Sequence, residues 1–109
     1  KFEDSEQNFL KDLNQIIEKN LKHANFNVED LAQQMGISRV QLYRKVKAIM
    51  GISISDYINS QRLSKAKSLL QETNLNISEI AYEVGYASPG YFSTSFKNKY
   101  GTTPKKFRN

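Results

Sequence analysis

The feature that most limits what this chain can fold into is an internal repeat. Asn27 and Asn76, Leu31 and Ile80, Ala32 and Ala81, and Gly36 and Gly85 stand 49 positions apart. Beyond the glycines the offset becomes 50: Ser38 matches Ser88, Leu42 matches Phe92, Val46 matches Phe96, Lys47 matches Lys97, Gly51 matches Gly101, Ser53 matches Thr103 and Tyr57 matches Phe107. The simplest account is one extra residue in the second copy, between Gly85 and Ser88. Each copy reads cap, short helix, Gly, cap, longer helix, Gly. The Asn or Ser before each apolar run accepts amide hydrogens that a helix start leaves unpaired. The inner glycine lets the chain leave one helix and start another at a steep angle within a few residues. A cap–helix–Gly–cap–helix unit is a helix-turn-helix, and here it is written twice.

Helical punctuation covers the rest of the chain. Phe9, Leu13, Ile16, Ile17 and Leu21 form the stripe of a leading helix with one buried face. Asn27 and Asp30 imitate a capping box with Asp in the Glu/Gln position, Ser38–Gln41 and Asn76–Glu79 form full boxes, and Ser53 and Asp56 open the longest segment. Pro89 after Ser88 and Pro104 after Thr103 mark two more starts, since proline suits the first helical position. No alternating run or Asn-Gly/Asp-Gly turn signals a sheet. The expectation is an all-α fold of seven helices, two helix-turn-helix subdomains joined by a long linker helix, within a single domain 1–109. Its parts are a leading helix (1–26), a first helix-turn-helix (27–51), the linker helix (53–73), and the second helix-turn-helix with the final helix (76–109).

Composition narrows the function. There is no cysteine and one histidine in 109 residues, so disulfide, thiolate-zinc and thiol-nucleophile chemistry are excluded, and so is a histidine metal cluster within one chain. No Gly-rich phosphate loop or nucleophile–His–acid set is present. The reading is a non-enzyme without cofactor or metal. No run approaches the roughly 18 apolar residues of a membrane span. The chain opens at Lys1 without a methionine, which reads as a piece of a longer protein, and the absence of cysteine fits a cytoplasmic setting. Charge is uneven. Residues 1–37 hold four basic and seven acidic side chains, whereas residues 38–109 hold twelve basic and four acidic. A basic excess confined to the recognition region suggests a polyanion. Ser53 to Glu72, with no internal Gly or Pro, spans roughly 28–30 Å as a helix, close to the ~34 Å between successive major grooves on one face of a duplex.

The stretches "LAQQMGISRVQLYRKVKAIMG" (31–51), "RLSKAKSLL" (62–70) and "NISEIAYEVGYASPGYFSTSFKNKYGTTPKKFR" (76–108) resemble the DNA-binding domain of AraC/XylS-family bacterial transcription regulators. The leading helix and "LYRKVKAIMG" are most similar to the C-terminal domains of hybrid two-component sensor-regulators. The resemblance implies double-stranded promoter DNA as ligand, and sequence-specific transcription regulation as the output of a larger signal-responsive protein. In the first recognition helix Leu42 and Val46 belong to the buried stripe. Arg39, Val40, Tyr43 and Arg44 are base-contact candidates; the family analogy points to Val40, Tyr43 and Arg44. A guanidinium such as that of Arg44 can bond guanine O6 and N7 together; its alternatives are a phosphate clamp or a solvated arginine. In the second recognition helix Phe92 and Phe96 are core, while Pro89, Gly90, Tyr91, Ser93 and Thr94 face the groove. Many relatives carry arginine where Thr94 stands, so shape, thymine-methyl and phosphate contacts are expected from this unit. Phosphate-contact candidates are Ser38, Lys45, Lys47, Ser53, Ser88, Lys97, Lys99, Thr103, Lys105 and Lys106. Arg62 is expected partly buried against an acid, with Glu79 as the guess, and His23 at the surface by a helix end. RNA polymerase is a further possible partner; the competing reading is a helical protein-interaction module contacting polymerase or a receiver domain. The isolated piece is expected to be a monomer, with dimerisation left to segments outside it.

Overall fold

The structure is a computed structural model that describes residues 2–109, with side chains from Ser5 onward. Seven helices follow one another: α1 (Phe2–Asn20), α2 (Val28–Met35), α3 (Arg39–Met50), α4 (Ile54–Glu72), α5 (Ile77–Glu83), α6 (Pro89–Tyr100) and α7 (Pro104–Arg108). No strand occurs among the described residues. The residues gather into two compact units. One holds the chain up to Asn20 with Phe26–Ile58; the other holds Leu21–Asn25 with Asn59–Asn109. The helix α4 runs unbroken, with its first residues in the first unit and the remainder in the second.

Local sequence explains the helix starts. The side chains of Asn27, Ser38, Asn76, Ser88 and Thr103 each accept the backbone N–H three residues on. Ser53 does the same for Asp56 at the start of α4, at 3.1 Å. Each such cap contributes about 0.5–2 kcal/mol. Full capping boxes form at Ser38–Gln41 and Asn76–Glu79. At α2 only the forward half forms, Asp30 N–H to Asn27 Oδ1 at 2.8 Å, because the Asp side chain is one methylene too short to return the bond.

In the first unit, Leu13 and Ile17 of α1, Leu31 and Ala32 of α2, Leu42 and Val46 of α3 and Ile54, Tyr57 and Ile58 of α4 are buried. The Tyr57 hydroxyl donates to Asn14 Oδ1 at 2.5 Å, which satisfies the polar end of a ring that burial would otherwise penalise. The inner turn is made by Gly36, left-handed at φ 73°, whose N–H and that of Ile37 return to the end of α2.

The second unit repeats this plan with larger residues. Its core is Leu63, Ala66 and Leu70 of α4, Ile80, Ala81 and Val84 around α5, Tyr86 in the turn, and Phe92 and Phe96 of α6. Tyr86, Phe92, Phe96 and Phe107 form a run of aromatic contacts with centroids 5.4–5.9 Å apart. The extra residue of the second copy can be located. Ile37 N–H bonds Ala32 O and Tyr86 N–H bonds Ala81 O, so the 49-residue register still holds there, and the addition is the exposed Ala87.

One expectation is corrected. Arg62 does not meet Glu79; the Glu79 carboxylate returns to Asn76 N–H within its capping box at 2.8 Å. Arg62 Nη2 instead donates to the backbone carbonyl of His23 at 3.1 Å, tying the Leu21–Asn25 segment into this unit. His23 itself is exposed. Arg62 Nε is buried with no hydrogen-bond partner among the described residues, and burial pulls the guanidinium below its ordinary pKa against the opposing pull of Tyr86 and Tyr91.

Candidate nucleic-acid interface

Within each unit the buried stripe fixes which residues the second helix of the repeat can present. In α3, burying Leu42 and Val46 leaves Arg39, Val40, Arg44, Lys45 and Lys47 exposed and Tyr43 half-buried. Val40 is 56% exposed although apolar, which gives it nothing to do inside the molecule. The Arg39 guanidinium lies 5.6 Å from the Tyr43 ring centroid, a cation–π contact that steadies both. Arg44 forms no hydrogen bond or ion pair with the described residues and is left to the outside.

The lysines of α3 are committed differently from what the sequence shows. Lys45 Nζ lies 4.8 Å over the ring of Phe9 in α1. Lys47 Nζ donates to Gly51 O at 3.1 Å, where it caps the carboxyl end of its own helix. Both ammonium groups stay exposed, but each already has a neighbour.

In α6, Phe92 and Phe96 are buried, Pro89 and Ser93 half-buried, and Gly90, Tyr91, Thr94, Lys97 and Lys99 exposed. No charged side chain stands in its first two turns. Tyr91 is 62% exposed, with its ring set edge-on to Tyr86 at 5.5 Å. Tyr86 is buried, its hydroxyl donates to Asn59 Oδ1, and burial pushes its pKa up to about 12 despite the lowering effect of a Ser95 hydrogen bond. Lys105 and Lys106 are exposed on α7.

Two electrostatic facts mark one class of helix ends. Acidic side chains favour the positive end of a helix dipole, and α2, α4 and α5 obey with Glu29 and Asp30, Asp56 and Glu79 in their first turns. The first turns of α3, α6 and α7 hold none. These ends are capped by Ser38, Ser88 and Thr103, so three proposed phosphate sites keep an uncancelled dipole while Ser53 shares its turn with the Asp56 carboxylate. The other fact is that the sole ion pair among the described residues is Lys22–Glu83, an exposed contact at 3.8 Å. Among the described residues, no basic side chain from 38 onward forms an ion pair with an acid.

Sequence reasoning did not single out three participants. Arg108 donates from Nε to Leu70 O at 3.0 Å, from Nη1 to Leu75 O at 2.5 Å and from Nη2 to Thr73 O at 3.2 Å, closing the carboxyl end of α4. Lys67 Nζ sits 4.9 Å over the Tyr100 ring and 5.6 Å over that of Phe107. Asn59 holds the Tyr86 hydroxyl. A half-polar α4 was the only available hint. Among the described residues no cluster of His, Cys, Asp or Glu suits a metal, and no helix is long and apolar enough to cross a membrane.

Residues 31–109 match a family described as "Helix-turn-helix domain". The solved structure of an AraC-type DNA-binding-domain protein from Chromobacterium violaceum shares 32% identity and a TM-score of 0.85, over 94% of this chain and 90% of that one. The chain belongs to the AraC-type helix-turn-helix family of DNA-binding transcription regulators. The xylose operon regulatory protein of Escherichia coli K12 is 42% identical over 75% of this chain and 21% of its own length. Histidine kinase P4 of Formosa agariphila is 36% identical over 95% of this chain, leading helix included, and 8% of its own length. The chain thus spans a small part of the curated relatives it matches. Its all-helical fold with two helix-turn-helix motifs is that of the AraC-type domain.

Proposed function

We propose that the two units read one promoter duplex unequally, the first by base contacts and the second by backbone and shape. The observation that carries this is the charge at the helix starts: α3, α6 and α7 expose capped N-termini without acids, while only α3 adds exposed guanidinium groups, Arg44 without a partner among the described residues and Arg39 against Tyr43. In α3, Arg44 bonds guanine, Val40 meets a thymine methyl, Tyr43 and Arg39 flank them, and Ser38 and Lys47 hold phosphates. In α6, Gly90, Tyr91, Ser93 and Thr94 approach the groove wall, and Ser88, Lys97, Lys99, Thr103, Lys105 and Lys106 face the backbone. The unbroken α4 supports recognition of successive major grooves. Two reading units in one chain support action as a monomer. The kinase relative that includes the leading helix supports a place at the output end of a two-component sensor-regulator, in the cytoplasm.

Selection of bound sites from a random duplex library, followed by fluorescence anisotropy at two salt concentrations, tests the reading. A preferred site about two helical turns long is expected, with affinity falling steeply as salt rises. Equal affinity for selected and random duplex at physiological salt would sink it.

A further inference from the structure

We propose that Tyr86 and Asn59 are positioning residues for Tyr91, holding its ring so that the phenol meets a DNA phosphate. The inference rests on α6 being a DNA-facing helix. The two copies diverge at the same pair of register positions. The first copy has Ile37 where the second has Tyr86, as the matched turn bonds show. It has Gln41 where the second has Tyr91. Gln41 turns inward on its own helix: its Oε1 accepts Ser38 N–H at 2.9 Å and completes the capping box. Tyr91 gives its backbone N–H to Ser88 Oγ but cannot return a side-chain bond, so its ring is left for the outside.

That ring is nevertheless held. Tyr86 is 3% exposed, tied through its hydroxyl to Asn59 and packed against Phe92 at 5.4 Å. A buried ring fixed at both ends offers a stationary surface, and Tyr91 sets against it at 5.5 Å with an interplanar angle of 71°. Edge-to-face packing of this kind favours one orientation of an exposed side chain. With no charged side chain in the first two turns of α6, neutral donors carry phosphate contact there, and a donor already oriented loses less freedom on binding.

The test is a double-mutant cycle on the intact chain with the selected duplex. Tyr86→Ile installs the residue of the first copy. It is expected to weaken binding about 2- to 10-fold, the equivalent of freeing one ordered side chain. In a Tyr91→Ala background the same change should have no effect. Phosphate-ethylation interference should show one phosphate whose contact is lost in Tyr91→Phe. Tyr86→Phe, which keeps the ring and frees it from Asn59, serves as the second variant where Tyr86→Ile melts below the assay temperature. It should give a smaller loss, again only with Tyr91 present. Equal losses in both backgrounds, or no loss in either, overturn the proposal. Absence of any preferred duplex for the wild-type chain defeats instead the reading on which it rests.

Discussion

Replacing Gly85 by alanine tests whether the second unit is held by the segment that crosses it. Gly36 and Gly85 occupy equivalent turns at φ 73° and 95°, yet their surroundings differ. A Cβ on Gly36 meets nothing within 4 Å. One on Gly85 would lie 2.0 Å from Leu21 O and 2.9 Å from Arg62 Nε. Both substitutions incur the left-handed backbone penalty of about 1–2 kcal/mol. Only Gly85→Ala must also push away backbone, and that backbone is anchored by buried Leu21 and by Arg62 on His23 O. Displacing the segment forfeits part of the roughly 1.5–3 kcal/mol from burying Leu21 and a similar amount from a charged hydrogen bond. The sum is about 3–5 kcal/mol for Gly85→Ala against about 1–2 kcal/mol for Gly36→Ala. Urea unfolding followed by far-ultraviolet circular dichroism measures both. Losses equal to within about 1 kcal/mol would refute the reasoning, because backbone strain alone would then account for each.

Other perturbations separate recognition from stability. Arg44→Ala should cost about 1–3 kcal/mol on the selected duplex and less on altered sequences, measured by anisotropy; a uniform loss would make it a phosphate contact. Lys97→Ala should weaken all duplexes alike and reduce the salt slope by about one. Arg108→Met should destabilise the fold by about 2–4 kcal/mol in urea unfolding, with DNA affinity unchanged at a temperature where the chain stays folded, since the carbonyls of Leu70, Thr73 and Leu75 lose a charged donor. Tyr86 has a folded pKa of about 12 against 10.0 when free, so its contribution is intact below pH 10 and is lost as pH climbs toward 12. The unfolding free energy from urea titrations should fall more between pH 9 and pH 11.5 for wild type than for Tyr86→Phe, by up to about 1.4 kcal/mol per pH unit above pH 10.

The caps, the inner glycines and the two apolar stripes were legible in the sequence because each depends on residues three or four apart. The repeat was legible because like residues recur in register. Arg62 and Arg108 were not. Their acceptors are main-chain carbonyls, at His23 and at Leu70, Thr73 and Leu75, which every residue type supplies and which lie 33–39 positions away. Nor could spacing show that Lys45 lies over Phe9 or that Lys47 closes its own helix. The acid-free starts of α3, α6 and α7 were readable throughout, but they gain meaning only beside the acidic starts of α2, α4 and α5.

Ala87 gives the twin motifs unequal connectors. Ala87 lies outside any helix, in the bend before Ser88, so the second copy reaches its longer helix through one more non-helical residue than the first. Transplanting the outward side chains of α3 onto α6 would carry their chemistry onto a helix reached through a longer connector and backed by Tyr86 instead of Ile37. The halves of this chain share one pattern, yet they are not interchangeable parts.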